Sequence, residues 1–189
     1  MSSNFMFLEF TDEEIVYLLS SLREIFSQKS SQANVHITVR GPYLKSITDE
    51  EIGRAKKIIK HDVFLIAGVG RFDNFKHTVY LKVRSDNLEK IWDKPDFPKS
   101  KYGFNPHITM YDGEDSRLAD EIYSFLEKER LELLCQSFKL TPYVSKQIPL
   151  FVEDNGVKGR HFLELSNRKR VRADILERAY KVVKYAIKN

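Results

Sequence analysis

Ala33-Asn34-Val35-His36-Ile37-Thr38-Val39-Arg40 and Asn105-Pro106-His107-Ile108-Thr109-Met110-Tyr111 share the tripeptide His-Ile-Thr, and each stretch alternates polar with aliphatic residues. Such alternation reads as a β-strand, in which side chains two positions apart leave the same face. Val35, Ile37 and Val39 then form a buried face opposite His36, Thr38 and Arg40. Ile108 and Met110 do the same opposite His107, Thr109 and Tyr111.

An imidazole exchanges a proton near neutral pH, and a threonine hydroxyl donates a hydrogen bond to a phosphate oxygen. Two such pairs facing one another would supply a base, an acid and two anchors for one phosphate. A single His-x-Thr is weak evidence, because a strand histidine usually has a purely structural role. The chain has five His and six Thr. Two His-x-Thr matches would then arise by chance in roughly one sequence in a hundred of this composition.

Outward from the two motifs, the order of expected elements repeats. Asn4 to Phe10 reads as a strand, and Thr11-Asp12-Glu13-Glu14 as a capping box. The helix that follows carries Ile15, Leu18, Leu19, Leu22, Ile25 and Phe26 on one side. The first His strand is expected to end at Gly41-Pro42. Thr48-Asp49-Glu50-Glu51 opens a second helix, and Val63 to Val69 is an apolar strand in which Gly68 and Gly70 suggest a bulge or turn. Thr78 to Arg84 is a further strand, Ser85 to Trp92 a short helix, and Pro95, Pro98 and Gly103 mark a long connection. The second His strand follows, then a helix from about Asp115 to Glu129, then Leu131 to Ser145 as a strand or strand pair broken near Pro142. Strand, helix, His-x-Thr strand, helix, strand thus occurs twice, over about 4–70 and 77–140, which points to an internal duplication. From Gln147 the repeat is exhausted. The extension at 147–189 reads as a loop at Glu153 to Gly156, a strand from His161 to Leu165 and an amphipathic helix from Asn167 to Ile187, expected to pack within the same chain.

Composition bounds the reading. At 189 residues, 42% hydrophobic and 31% charged, the chain is expected to be a single globular domain. No run of eighteen apolar residues and no charged-then-apolar leader is present, so no membrane association is expected and the cytoplasm is the expected location. The lone Cys135 sits in an apolar run, where an inert thiol is expected; it can form neither an internal disulfide nor a Cys-x-x-Cys zinc site. A net charge of +4 favours anionic partners without the density of a nucleic-acid coat. The basic cluster Arg160, Arg168, Lys169, Arg170 and Arg172 reads as a solvated helix face.

Two His-x-Thr motifs on strands of a duplicated α+β chain of this length resemble the 2H phosphoesterase superfamily, in particular its 2′-5′ RNA ligase and cyclic phosphodiesterase branch. Ala67-Gly68-Val69-Gly70-Arg71-Phe72, Val79-Tyr80-Leu81-Lys82-Val83 and Phe104-Asn105-Pro106-His107-Ile108-Thr109 are similar to stretches around the motifs there. The resemblance covers roughly residues 4–140. It departs in the tail from Gln147 and in Val39-Arg40-Gly41-Pro42-Tyr43, where many relatives are more aliphatic.

The resemblance implies an α+β, bilobal and pseudo-symmetric fold, with two mainly antiparallel sheets facing a central cleft and helices packed outside. It implies opening of a 2′,3′-cyclic phosphate at an RNA or nucleotide end, or action on 2′-5′ phosphodiester bonds, with no metal ion and no cofactor. By carry-over His107 would be the general base and His36 the general acid, with Thr38 and Thr109 on the non-bridging oxygens. Residue chemistry alone leaves acid and base interchangeable. Arg40 and Tyr111, read on the motif faces, and Tyr43 are expected as substrate-binding residues; Phe104 and Tyr143 are further stacking candidates. His61, His77 and His161 complete no motif.

Two other readings remain open at this stage. One is a nucleotide- or RNA-end-binding module of the same fold without turnover. The other is a di-histidine metal enzyme, against which stands the lack of Asp or Glu on the motif faces. No obligate protein partner is indicated.

Overall fold

The computed structural model describes residues 3–28, 34–92, 103–145 and 172–188. The expected loop and strand at Glu153 to Gly156 and His161 to Leu165, most of the basic cluster, and the connection at Pro95 and Pro98 lie outside the described residues. The elements are β1 (Ser3–Phe10), α1 (Glu13–Ser27), β2 (His36–Tyr43), α2 (Asp49–Ile59), β3 (Phe64–Asp73), β4 (His77–Arg84), α3 (Leu88–Ile91), β5 (His107–Gly113), α4 (Ser116–Glu129), β6 (Glu132–Cys135), β7 (Phe138–Ser145) and α5 (Ala173–Lys188).

The fold is α+β, with two antiparallel sheets ordered β2-β1-β7 and β5-β4-β3-β6. The expected order of elements occurs twice, as β1-α1-β2-α2-β3 and β4-α3-β5-α4-β6, but the sheets are not divided along that boundary. β3, at the end of the first repeat, pairs with β4, and β7, after the second, pairs with β1. Each half passes a strand to the other's sheet, so neither sheet can form from one half alone. The apolar faces of both sheets and of α1, α4 and α5 merge in one core.

Both His strands lie at an edge of their sheets. Their alternation is as expected through the motif: Val35, Ile37, Val39, Ile108 and Met110 are buried. The flanking helices follow from their caps and stripes. Thr48 and Glu51 close a reciprocal capping box on α2. On α1 the cap is Asp12 rather than Thr11, its carboxylate accepting from the Glu14 and Ile15 amides. All six expected apolar positions of α1 are buried.

Two boundaries differ from expectation for one physical reason. β2 runs through Gly41-Pro42 to Tyr43, and β7 runs through Pro142, the chain having broken earlier, between Cys135 and Phe138. Both prolines sit on outer strands of the sheet, where a missing amide costs no ladder bond. The expected irregularity at Gly68 is a bulge: the β3–β4 register shifts between Ile66 and Val69, and Gly68 has φ +83°.

The carboxyl-terminal helix packs within the chain, on α1 and α4. Ile175, Leu176, Ala179, Val183 and Ala186 are buried there, and Arg178 reaches both oxygens of Glu129 at 2.9 and 2.7 Å. Among the described residues no helix is long and apolar enough to cross a membrane.

Candidate active site at the meeting of two edge strands

β2 and β5 approach one another, and the cavity between the sheets, about 240 Å³, is lined by Thr38 and Arg40 from one side and by Phe72, Asn105 and His107 from the other. His36 and Thr109 are not part of the cavity wall, although each lies on the same strand as a residue that is. The charge of His107 is the least of the influences on the His36 ring.

The two histidines are held identically. His36 Nδ1 lies 2.7 Å from the Asn34 carbonyl oxygen, and His107 Nδ1 lies 2.7 Å from that of Asn105. A carbonyl only accepts, so Nδ1 carries the proton in each ring and the neutral imidazole presents its lone pair at Nε2. Each Asn stands two residues before its histidine, so the repeated unit is Asn-x-His-Ile-Thr. That signal was present in the sequence, and the shorter tripeptide reading passed over it.

Aromatic residues of the neighbouring strands complete each centre. Phe7 of β1 stands opposite Thr38 and stacks on His36 at 3.7 Å between ring centroids. Tyr80 of β4 stands opposite Thr109 and tilts against His107 at 4.7 Å. Behind them, Tyr143 of β7 lies 4.7 Å from Phe7, and Phe72 of β3 lies 4.6 Å from Tyr80. None of these positions but Tyr143 is visible as a site residue in the sequence, because cross-strand neighbours are set by register.

Immediately after each Thr the register slips. Phe7 pairs with Thr38 but Met6 with Arg40, leaving Val39 as an extra residue; Tyr80 pairs with Thr109 but Val79 with Tyr111, leaving Met110 extra. A bulge of one residue resets the alternation, and directly opposed residues share a face. Tyr111 therefore joins Val79, which is fully buried, instead of His107, whereas Arg40 stands opposite buried Met6 yet still reaches the cavity beside Thr38. This corrects the expected motif-face placement of Tyr111. Tyr111 is a core residue, its hydroxyl donating to the Asp115 carbonyl at 3.3 Å. Arg40 touches the cavity, but its Nε donates to the Ile91 carbonyl at 2.9 Å and its guanidinium lies 3.9 Å from Glu51.

The remaining candidates divide. Thr38 is exposed to the cavity and Thr109 half-buried; neither hydroxyl has a hydrogen-bond partner among the described residues. Tyr43 lies at the far end of β2, opposite Asn4, and is not part of the cavity wall. Phe104 is, packed edge-on against Trp92 at 5.9 Å. Cys135 is buried, its thiol pushed up by burial, as expected of an inert group.

Both imidazoles titrate below the usual histidine value, chiefly because burial penalises the cation. At His107 the Asn105 carbonyl opposes this. At His36 the Asn34 carbonyl also raises the value, Arg23 lowers it, Glu9 raises it and His107 lowers it. At neutral pH the pair therefore stands ready with two lone pairs at Nε2, and an anion seated between them would draw in the proton that one ring needs to act as an acid.

No family model matches the chain, and no curated protein matches it.

Proposed function

We propose that this chain is a metal-independent phosphodiesterase that opens 2′,3′-cyclic phosphate ends of RNA or nucleotides, or cleaves 2′-5′ phosphodiester bonds, by two-histidine acid–base catalysis in the cytoplasm. The observation that carries the reading is the duplicated centre. Two imidazoles are fixed through Nδ1 by the same backbone bond, and two threonine hydroxyls have no partner among the described residues, on two edge strands that approach one another. The resemblance of the motifs to the 2H phosphoesterases supports the same reading.

In this scheme one Nε2 removes a proton from water as its oxygen attacks phosphorus. The P–O3′ bond breaks, and the departing O3′ takes a proton from the other Nε2–H. The product is a 2′-phosphate with a free 3′-hydroxyl, and the two rings exchange their proton through solvent before the next turnover. By the family carry-over His107 is the base and His36 the acid. Thr38 and Thr109 donate to the non-bridging oxygens as charge builds there. Ring strain in the cyclic ester lowers the barrier to leaving. The aromatic wall of Phe72, Trp92 and Phe104 offers a surface on which a nucleobase can stack.

The test is turnover of a nucleoside 2′,3′-cyclic phosphate in the presence of a chelator. His36→Ala and His107→Ala should each lose about a hundredfold to ten-thousandfold in rate. Full rate in either folded variant, or activity of the wild type only after a divalent metal is restored, overturns the proposal. Tight binding of the nucleotide with no product after prolonged incubation would indicate a binding module instead.

A further inference from the structure

The two centres share a frame but not their charged neighbours. Directly opposite His36 on β1 stands Glu9, whereas directly opposite His107 on β4 stands Lys82. Lys82 is exposed. Glu9 is buried, an expensive place for a carboxylate unless it is paired and hydrogen-bonded. Its partners are Lys139 Nζ at 2.8 Å, Thr141 Oγ1 at 3.2 Å and Asn34 Nδ2 at 3.4 Å. Burial pushes the Glu9 carboxyl up, and Lys139, Thr141 and Asn34 together reverse this, so the group stays ionised. In the other centre the Asn105 side chain donates instead to the neutral Tyr80 hydroxyl, at 3.2 Å.

Asn34 thus lies between Glu9 and His36: its side chain is tied to the carboxylate and its carbonyl to the ring. The same carbonyl also accepts from Arg23 Nη1 of α1 at 3.3 Å. The charged groups facing His36 are Glu9 of β1 with Lys139 of β7 upon it, Arg23 of α1 and His107 of β5. Of these, only Glu9 favours the imidazolium.

We propose that Glu9 is a positioning residue for His36. Through Asn34 it holds the ring by Nδ1 and leaves Nε2 free to accept, and its charge offsets that of Arg23 so that His36 remains protonatable. The proposal rests on the two-histidine reading of the site, and it explains why a buried carboxylate is kept behind one histidine while a phenol serves behind the other. A carboxylate acting through a backbone relay fixes the tautomer without itself touching substrate.

The test is a nitrogen-15 NMR titration of the imidazoles in the full chain without ligand, for wild type, Glu9→Gln, Glu9→Asp and Asn34→Ala. In Glu9→Gln the midpoint of His36 is expected to fall by about one pH unit while that of His107 stays in place. Glu9→Asp should recover part of the loss. In Asn34→Ala, which keeps the backbone carbonyl but releases it from Glu9, the single His36 tautomer should give way to a mixture. An unchanged His36 midpoint in Glu9→Gln, or equal shifts at both histidines, overturns the proposal. Should Glu9→Gln fail to fold, Asn34→Ala decides, and an unaltered tautomer there overturns it. Since the readout needs no turnover, its failure is distinct from failure of the phosphodiesterase reading, which the cyclic-phosphate assay decides.

Discussion

The His36 centre and the His107 centre are two answers to one packing problem. Each places His and Thr on an edge strand just after an Asn, an aromatic residue opposite the Thr, a second aromatic behind it and a bulge immediately after the Thr. Their surroundings diverge. Phe7 stacks flat on His36 at 16° between planes, and charged Glu9 and Arg23 stand nearby; Tyr80 and Phe72 approach His107 at 49° and 76°, and the charged residue opposite it is exposed Lys82. The difference teaches that the repeated motif fixes how each ring is held through Nδ1, while the protonation behaviour of each ring is left to neighbours on adjacent strands.

The largest expected effect probes the shared part. Ile37 and Ile108 are fully buried at equivalent places beneath the two histidines. Ile37→Ala and Ile108→Ala should each cost about 3 to 4 kcal/mol in urea unfolding. A pair of values differing by more than about half would show that the two sheets do not contribute equally to the core.

Next come the proposed anchors. Thr38→Val and Thr109→Val keep side-chain shape and remove a hydroxyl, and each should lower kcat/KM on a cyclic phosphate by about a hundredfold. If one variant alone loses activity, the phosphate is held from one side and the clamp is not symmetric.

The smallest effect concerns pH. Both imidazoles titrate lower in the folded chain than the ordinary value near 6.5. Between the two values the unfolded chain binds more protons, so stability rises with pH through that window and is lost as pH falls below about 6.5. Carboxylates with lowered values, such as Glu9, Glu51 and Asp62, lose their contribution only at more acidic pH. Urea midpoints measured from pH 5 to 7.5 should show a slope that flattens in His36→Gln and His107→Gln; an unchanged slope in both would place the pH dependence elsewhere.

The aliphatic positions of β2 and β5, the stripe of α1, the capping box at Thr48 and Glu51, and the repeated element order all follow from the sequence, because each depends on residues within a turn or two of one another. The site was legible to the same depth. The alternation of His36 and Thr38 and of His107 and Thr109 against buried neighbours could be read, whereas Tyr111 was assigned to the wrong face, since strict alternation was carried across a bulge that no local pattern announces. Asn34 and Asn105 were in plain view, and their role emerged only when each carbonyl was found on a ring nitrogen.

By itself the chain specified which residues alternate, where the helices start and which chemistry recurs twice, all of it information carried by near neighbours along the backbone. Tertiary structure alone decided that β3 and β7 change sheets, that two edge strands meet, that both bulges follow the threonines and that Glu9 lies behind one histidine and Lys82 beside the other. Those outcomes depend on register between strands distant in sequence, which is set by how the apolar faces of both halves close over a single core.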